Sequence, residues 1–171
     1  MKGVVIKSTG SWYTVLSETH QRIDCRIKGS FRIKNIKTTN PIAVGDKVEF
    51  EIETGKEFGT IYKIETRTNY IIRKSLNLSK QTHIIAANID QAFIVVTLVQ
   101  PRTSTGFIDR FLVTANANRI AANIVFNKID LYSEENKTEM RALIATYEKI
   151  GYKCLTISAL QKKDTIELKL M

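Results

Sequence analysis

Residues 120–130, IAANIVFNKID, carry an apolar run through Ile124, Val125 and Phe126 that stops abruptly at Asn127-Lys128-Ile129-Asp130. A run so short and so apolar predicts a strand covered on both faces, the condition of a parallel strand between layers of helix. In open α/β sheets ligands lie just beyond the carboxyl ends of such strands, so the polar residues here are the first candidates for a recognition site. Their spacing suits guanine. An Asn amide can donate to the ring N7 while tying its loop to neighbouring backbone, the Lys stem can lie over the base, and an Asp two places on can accept two protons. Guanine alone presents N1–H and an exocyclic amine side by side; adenine would turn a lone pair to the carboxylate and leave it unpaired. The same residues also suit an ordinary strand-to-helix turn, and spacing alone leaves both readings open.

A second element bears on the choice. One helix later, residues 153–157 (KCLTI) form another short apolar run, and it ends in Ser158-Ala159. Small residues there let a backbone N–H approach the guanine O6.

Asn127-Lys128-Ile129-Asp130 resembles the base-specificity motif of GTPases, and Ser158-Ala159 resembles their second base-contacting motif. The flanking text narrows this: Ile85-Ala86-Ala87-Asn88-Ile89-Asp90-Gln91 leads into an earlier strand-like run, residues 91–99, and Ile108-Asp109-Arg110-Phe111-Leu112-Val113 follows that run. Together they resemble the ribosome-small-subunit-dependent GTPase A family over essentially the whole chain. The resemblance implies an N-terminal barrel followed by a circularly permuted GTPase domain, in which the base motifs come first and the phosphate motifs later. It implies GTP with Mg²⁺ as ligands, guanine contacts from Asn127, Lys128, Asp130, Ser158 and Ala159, and work on the small (30S) ribosomal subunit during its late maturation. It also implies a later Zn²⁺-binding domain, of which this sequence has no trace.

The first half reads differently from the second. Residues 1–70 hold five short strand-like runs (GVVIK, SWYTVL, RIDCRI, DKVEFEI, GTIYKIE) with Gly or polar punctuation, which fits a small closed barrel of the OB type. Residues 71–83 read as a basic linker. Residues 84–171 alternate strand and helix, which implies parallel strands with right-handed crossovers and hence the first, base-recognising part of a P-loop-GTPase-like α/β domain. A helix is expected over 133–150, capped by Ser133, striped by Met140, Leu143, Ile144 and Tyr147, and ended by Gly151. The fold class is therefore all-β plus α/β.

Charge divides along the same line. Of 26 Lys and Arg against 17 Asp and Glu, residues 1–80 hold 15 and 8, a surplus of 7, and the rest 11 and 9. The barrel is thus the candidate polyanion surface, with Arg26, Lys28, Arg32, Lys34 and Lys37 as RNA-binding candidates and Trp12 or Tyr13 available for stacking. Alternation along SWYTVL puts at least one of those two aromatics in the core. Cys25 and Cys154 have no CxxC or His-partner spacing and are expected as reduced packing thiols; His20 and His83 are isolated. No metal site is expected in the segment. With no transmembrane run and no leader, a cytoplasmic protein that avoids membranes is expected.

No GxxxxGK[ST] phosphate loop and no DxxG occur in the 171 residues. Without backbone N–H groups and a Lys to cradle phosphates, no catalytic residue for hydrolysis can be named. In the permuted order those motifs follow the base motifs, so the sequence is expected to be a fragment of a longer GTPase, inactive alone, with an open sheet edge that favours self-association. The alternative is a non-enzymatic RNA-binding protein whose α/β half is a docking module.

Overall fold

A computed structural model describes residues 1–29, 41–74 and 82–169. Arg32, Lys34 and Lys37 lie outside the described residues. Two compact units divide between Ile89 and Asp90.

In the first unit β1 (Lys2–Thr9), β2 (Trp12–Ser17), β3 (Arg22–Ile27), β4 (Lys47–Ile52) and β5 (Gly59–Ile64) close a barrel in the order β1-β2-β3-β5-β4. The pairing is antiparallel except between β3 and β5, which run parallel. Strand alternation decides what fills it: in β2, Tyr13, Val15 and Ser17 turn inward while Trp12, Thr14 and Leu16 turn outward. Tyr13 and Val15 join Val5, Cys25, Ile42, Val48, Phe50 and Ile61 in one apolar core. Burial pushes the Cys25 thiol up to about 11, the behaviour of a packing residue.

Where a linker was expected, the described residues are paired strands. β6 (Tyr70–Lys74) and β7 (Thr82–Ala87) form an antiparallel hairpin that belongs to the barrel's unit. It is pinned to the turn before β4: the Ala87 N–H donates to the Val44 carbonyl at 2.8 Å and Asn88 Nδ2 to the Gly45 carbonyl at 2.9 Å. Gly45 sits at φ +89°, and a Cβ there would stand 1.9 Å from the Ala87 carbonyl oxygen, so backbone contact at this point requires glycine. Asp46, fully buried, holds the same turn from the other side. Its carboxylate accepts from Arg67 Nε at 2.6 Å, Arg67 Nη2 at 2.7 Å and the Ala43 N–H at 2.8 Å. Tertiary bonds between residues twenty or more apart thus override a stretch whose basic, polar text reads locally as a connector.

In the second unit β8 (Gln91–Val96), β9 (Ala121–Phe126) and β10 (Lys153–Thr156) form a parallel sheet in the order β10-β9-β8. The crossovers are α1 (Thr105–Ala117) and α2 (Glu134–Lys149), and α3 (Lys162–Lys169), not expected from the sequence, follows β10. One core gathers Ile94, Val96, Ile124 and Phe126 from the sheet with Ile108 and Leu112 of α1 and Met140 and Tyr147 of α2. Leu143 and Ile144 pack against it, completing the expected stripe. Ser133 Oγ accepts from the Asn136 N–H at 3.2 Å while Asn136 Oδ1 accepts from the Ser133 N–H at 3.3 Å, a reciprocal cap that fixes where α2 begins. Gly151 follows its end at φ +92°.

Candidate functional site

β9 delivers Asn127 to the carboxyl edge of the sheet through the ladder itself: the Asn127 N–H donates to the Val96 carbonyl of the neighbouring strand at 2.8 Å. The chain then turns sharply. Lys128 takes a left-handed conformation at φ +62°, and residues Ile129–Leu131 form one 3-10 turn carrying Asp130 on its exposed side. Beside it, just past the end of β10, lie Ser158, buried to 1 % exposure, and exposed Ala159.

Asn127 is the knot. Its Oδ1 accepts from the Lys128 N–H at 2.8 Å and from the Ala159 N–H at 3.0 Å, so one side-chain oxygen joins the two motifs across thirty residues of chain. A second tie runs between the backbones, where the Ile129 N–H donates to the Ile157 carbonyl at 3.3 Å. The oxygen being committed, the amide Nδ2 has no acceptor among the described residues, and neither does the Asp130 carboxylate have a donor there. Ser158 Oγ is buried with no hydrogen-bond partner, while its N–H donates to the Asp164 carboxylate at 2.7 Å. One donor amide, one carboxylate and one orphaned hydroxyl therefore gather at the ends of two adjacent parallel strands, with a third strand end close by through Lys128, whose ammonium donates to the Gln100 carbonyl in the segment after β8.

Tyr132 was not singled out by the sequence and holds this arrangement from below. Buried at 5 % exposure, its hydroxyl accepts from the Leu98 N–H at 2.9 Å and donates to the Asn127 carbonyl at 2.9 Å. It therefore bridges the end of β8 to the end of β9. Burial is the largest influence on its phenol and raises it above its ordinary value, against the opposing pull of the Leu98 N–H, so it stays a donor. Its position two residues beyond Asp130 follows no period that marks a site, and Gln100 is reachable only through the fold.

Of the cations expected to face RNA, Arg26 and Lys28 are described, and both are exposed, Arg26 on β3 and Lys28 just after it. Among the described residues no group of three or more His, Cys, Asp or Glu could hold a metal ion. No described helix is long and apolar enough to cross a membrane.

Comparison with known proteins agrees with both units. The family model described as RsgA N-terminal domain matches residues 2–61, and that described as RsgA GTPase matches residues 64–171. A protein of Christiangramia forsetii called small ribosomal subunit biogenesis GTPase RsgA is 56 % identical over 171 residues, covering 99 % of this chain and 54 % of that protein. Its namesake in Flavobacterium johnsoniae is 56 % identical over 173 residues, covering 100 % and 53 %. Among solved structures, YjeQ from Thermotoga maritima superposes with a TM-score of 0.78 at 35 % identity, over 99 % of this chain and 55 % of that one. YloQ, described as a circularly permuted GTPase, superposes with a TM-score of 0.74 at 33 % identity, over 98 % and 54 %. The chain spans about half the length of the curated relatives it matches.

Proposed function

The chain belongs to the RsgA family, and from that membership we propose that it carries the barrel and the guanine-recognising part of a GTP hydrolase acting in small ribosomal subunit biogenesis. The observation that carries the reading is the Asn127 knot, because an oxygen bonded to both Lys128 and Ala159 leaves the amide donor and the Asp130 carboxylate for a ligand. In this reading Asp130 accepts from guanine N1–H and the exocyclic amine, Asn127 Nδ2 donates to N7, and the Lys128 stem covers one face of the ring. The Ala159 N–H, already turned toward Asn127, is shared with O6, and Ser158 supplies a buried hydroxyl for which the ligand is the partner. Specificity comes from the penalty on a base that cannot satisfy Asp130.

The phosphate side needs residues that these 171 positions do not include as a recognisable motif, so Mg²⁺ and the hydrolytic step enter only as properties of a longer family member, and a Zn²⁺ domain likewise. The match of residues 64–171 to a GTPase model favours this reading over an α/β docking module in a non-enzymatic RNA binder. The relatives' names point to the small subunit; contact with ribosomal RNA through the basic barrel, and a cytoplasmic location, complete the proposal.

Asp130→Asn in a protein that also carries the phosphate-binding half tests it. An amide accepts from only one guanine donor and sets its NH₂ against the other, whereas xanthine offers a carbonyl at that place. GTP binding should weaken by on the order of 2 to 4 kcal/mol, with preference moving to XTP, while the fold persists. Equal GTP affinity in wild type and a folded mutant would make residues 127–130 an ordinary turn.

A further inference from the structure

Resting on the proposal that the barrel meets RNA, we infer that it takes unpaired nucleotides, stacked at a cluster of Trp12, Phe58 and Arg26, and does not take duplex by its phosphates alone. The three residues come from different elements: Trp12 opens β2 after the Gly10-Ser11 turn, Arg26 lies on β3, and Phe58 ends the β4–β5 connection. That junction of the β1–β2 loop, the β4–β5 loop and the β2–β3 face is where barrels of this topology bind oligonucleotides.

The packing there is that of an unfinished stack. The Arg26 guanidinium lies 4.0 Å from the centre of the Trp12 ring and 5.2 Å from that of Phe58, and the two rings meet edge to face at 5.5 Å and 84°. Neither ring is in the barrel core; both are half-buried, and Arg26 is exposed. A guanidinium placed over an indole and exposed to solvent leaves a surface on which a further planar group, such as a base, can stack. Arg26 forms no ion pair among the described residues, so its donors are left for a phosphate. Lys56, which pairs with Glu53, brings a second ammonium 5.8 Å from the Phe58 ring.

Two surface grooves adjoin the cluster. One of about 370 Å³ is lined by Ser11, Arg26, Ile27 and Gly29, and one of about 300 Å³ by Lys7, Thr9, Trp12, Thr14 and Asp24. The carboxylate in the second is engaged, accepting from Thr14 Oγ1 at 2.7 Å. With Lys7, Arg26 and Lys28 exposed along these strands, the field favours a polyanion, and half-buried aromatic faces favour one whose bases are free to leave a helix.

Trp12 is the only tryptophan in the sequence, so its emission reports the site directly. Titration of the 171-residue chain with short oligouridylate or oligoadenylate should quench Trp12 saturably, and an RNA duplex of equal length should quench it far less. Phe58→Ala should weaken the single-strand complex about tenfold, as the loss of one stacking platform does. Arg26→Lys should weaken it nearly as much as Arg26→Ala, because an ammonium keeps the charge but not the plane. The Arg26→Lys result decides the matter if Phe58→Ala proves misfolded by circular dichroism. Full affinity in Arg26→Lys, or equal quenching by duplex, overturns the inference. Steeply salt-dependent RNA binding with Trp12 silent overturns it while leaving the barrel's RNA role intact; binding of no RNA at all removes both.

Discussion

At the scale of single residues, the divide runs between groups that a motif names and groups that only the fold brings in. Asn127, Lys128, Asp130, Ser158 and Ala159 could be proposed from the sequence because a base pocket needs those chemistries at those spacings. Tyr132 was not, because its function is a pair of backbone bonds to residues 34 and 5 positions away, and no local pattern encodes the first. Its removal is correspondingly informative. Tyr132→Phe leaves the Leu98 N–H and the Asn127 carbonyl without their shared partner in a buried place, a loss of about 1 to 3 kcal/mol of stability. The urea midpoint of the chain should fall accordingly, whereas Asp130→Asn, at an exposed position, should leave it nearly unmoved. Equal midpoints for Tyr132→Phe and wild type would show that water replaces the hydroxyl and that the bridge between β8 and β9 carries little.

At the scale of elements, strand period and helix caps made most of both units readable. The five barrel strands and the alternation β8-α1-β9-α2-β10 follow from apolar periodicity, with Ser133 and Gly151 marking the ends of α2 as their chemistry requires. The β6–β7 hairpin escaped for a physical reason: its register is set by contacts with the Val44-Gly45-Asp46 turn and not by its own text. Arg67 is the test of that docking. Arg67→Ala would strand the fully buried Asp46 carboxylate with the Ala43 N–H as its remaining donor, and loss of one partner from a buried pair costs roughly 3 to 5 kcal/mol. Thermal unfolding followed by Trp12 fluorescence should shift down strongly, and Arg67→Lys, which keeps a single donor direction, should fall between. A barrel indifferent to Arg67→Ala would mean that the hairpin is held by its backbone bonds alone.

At the scale of the whole molecule, charge and motif order predict how the two units divide the work. The surplus of 7 positive charges sits in residues 1–80 and only 2 in the rest, so polyanion binding and base recognition are assigned to different units. The boundary falls at Ile89/Asp90, some residues past the expected 84, because β7 and Asn88 complete the barrel's unit before the sheet of the second begins. Within the second unit β8 pairs only with β9 among the described residues, and the exposed Val95 lies along that strand. Under the proposed reading the 171-residue chain has a base pocket without a phosphate-loop motif. Guanine contacts alone forgo the charge-assisted bonds that dominate nucleotide affinity, so GTP should bind weakly, with a dissociation constant on the order of millimolar, and guanosine should bind about as well as GTP. Hydrolysis by the purified chain should not exceed the background rate, since the sequence holds no phosphate-loop or DxxG motif to stabilise charge on a transferring phosphoryl group. Calorimetric titration with guanosine, GDP and GTP, beside a phosphate-release assay, checks both halves. A GTP affinity far above that of guanosine, or turnover abolished by Asp130→Asn, would mean that basic residues of this chain do engage the phosphates and that the division of labour between base and phosphate halves is wrong.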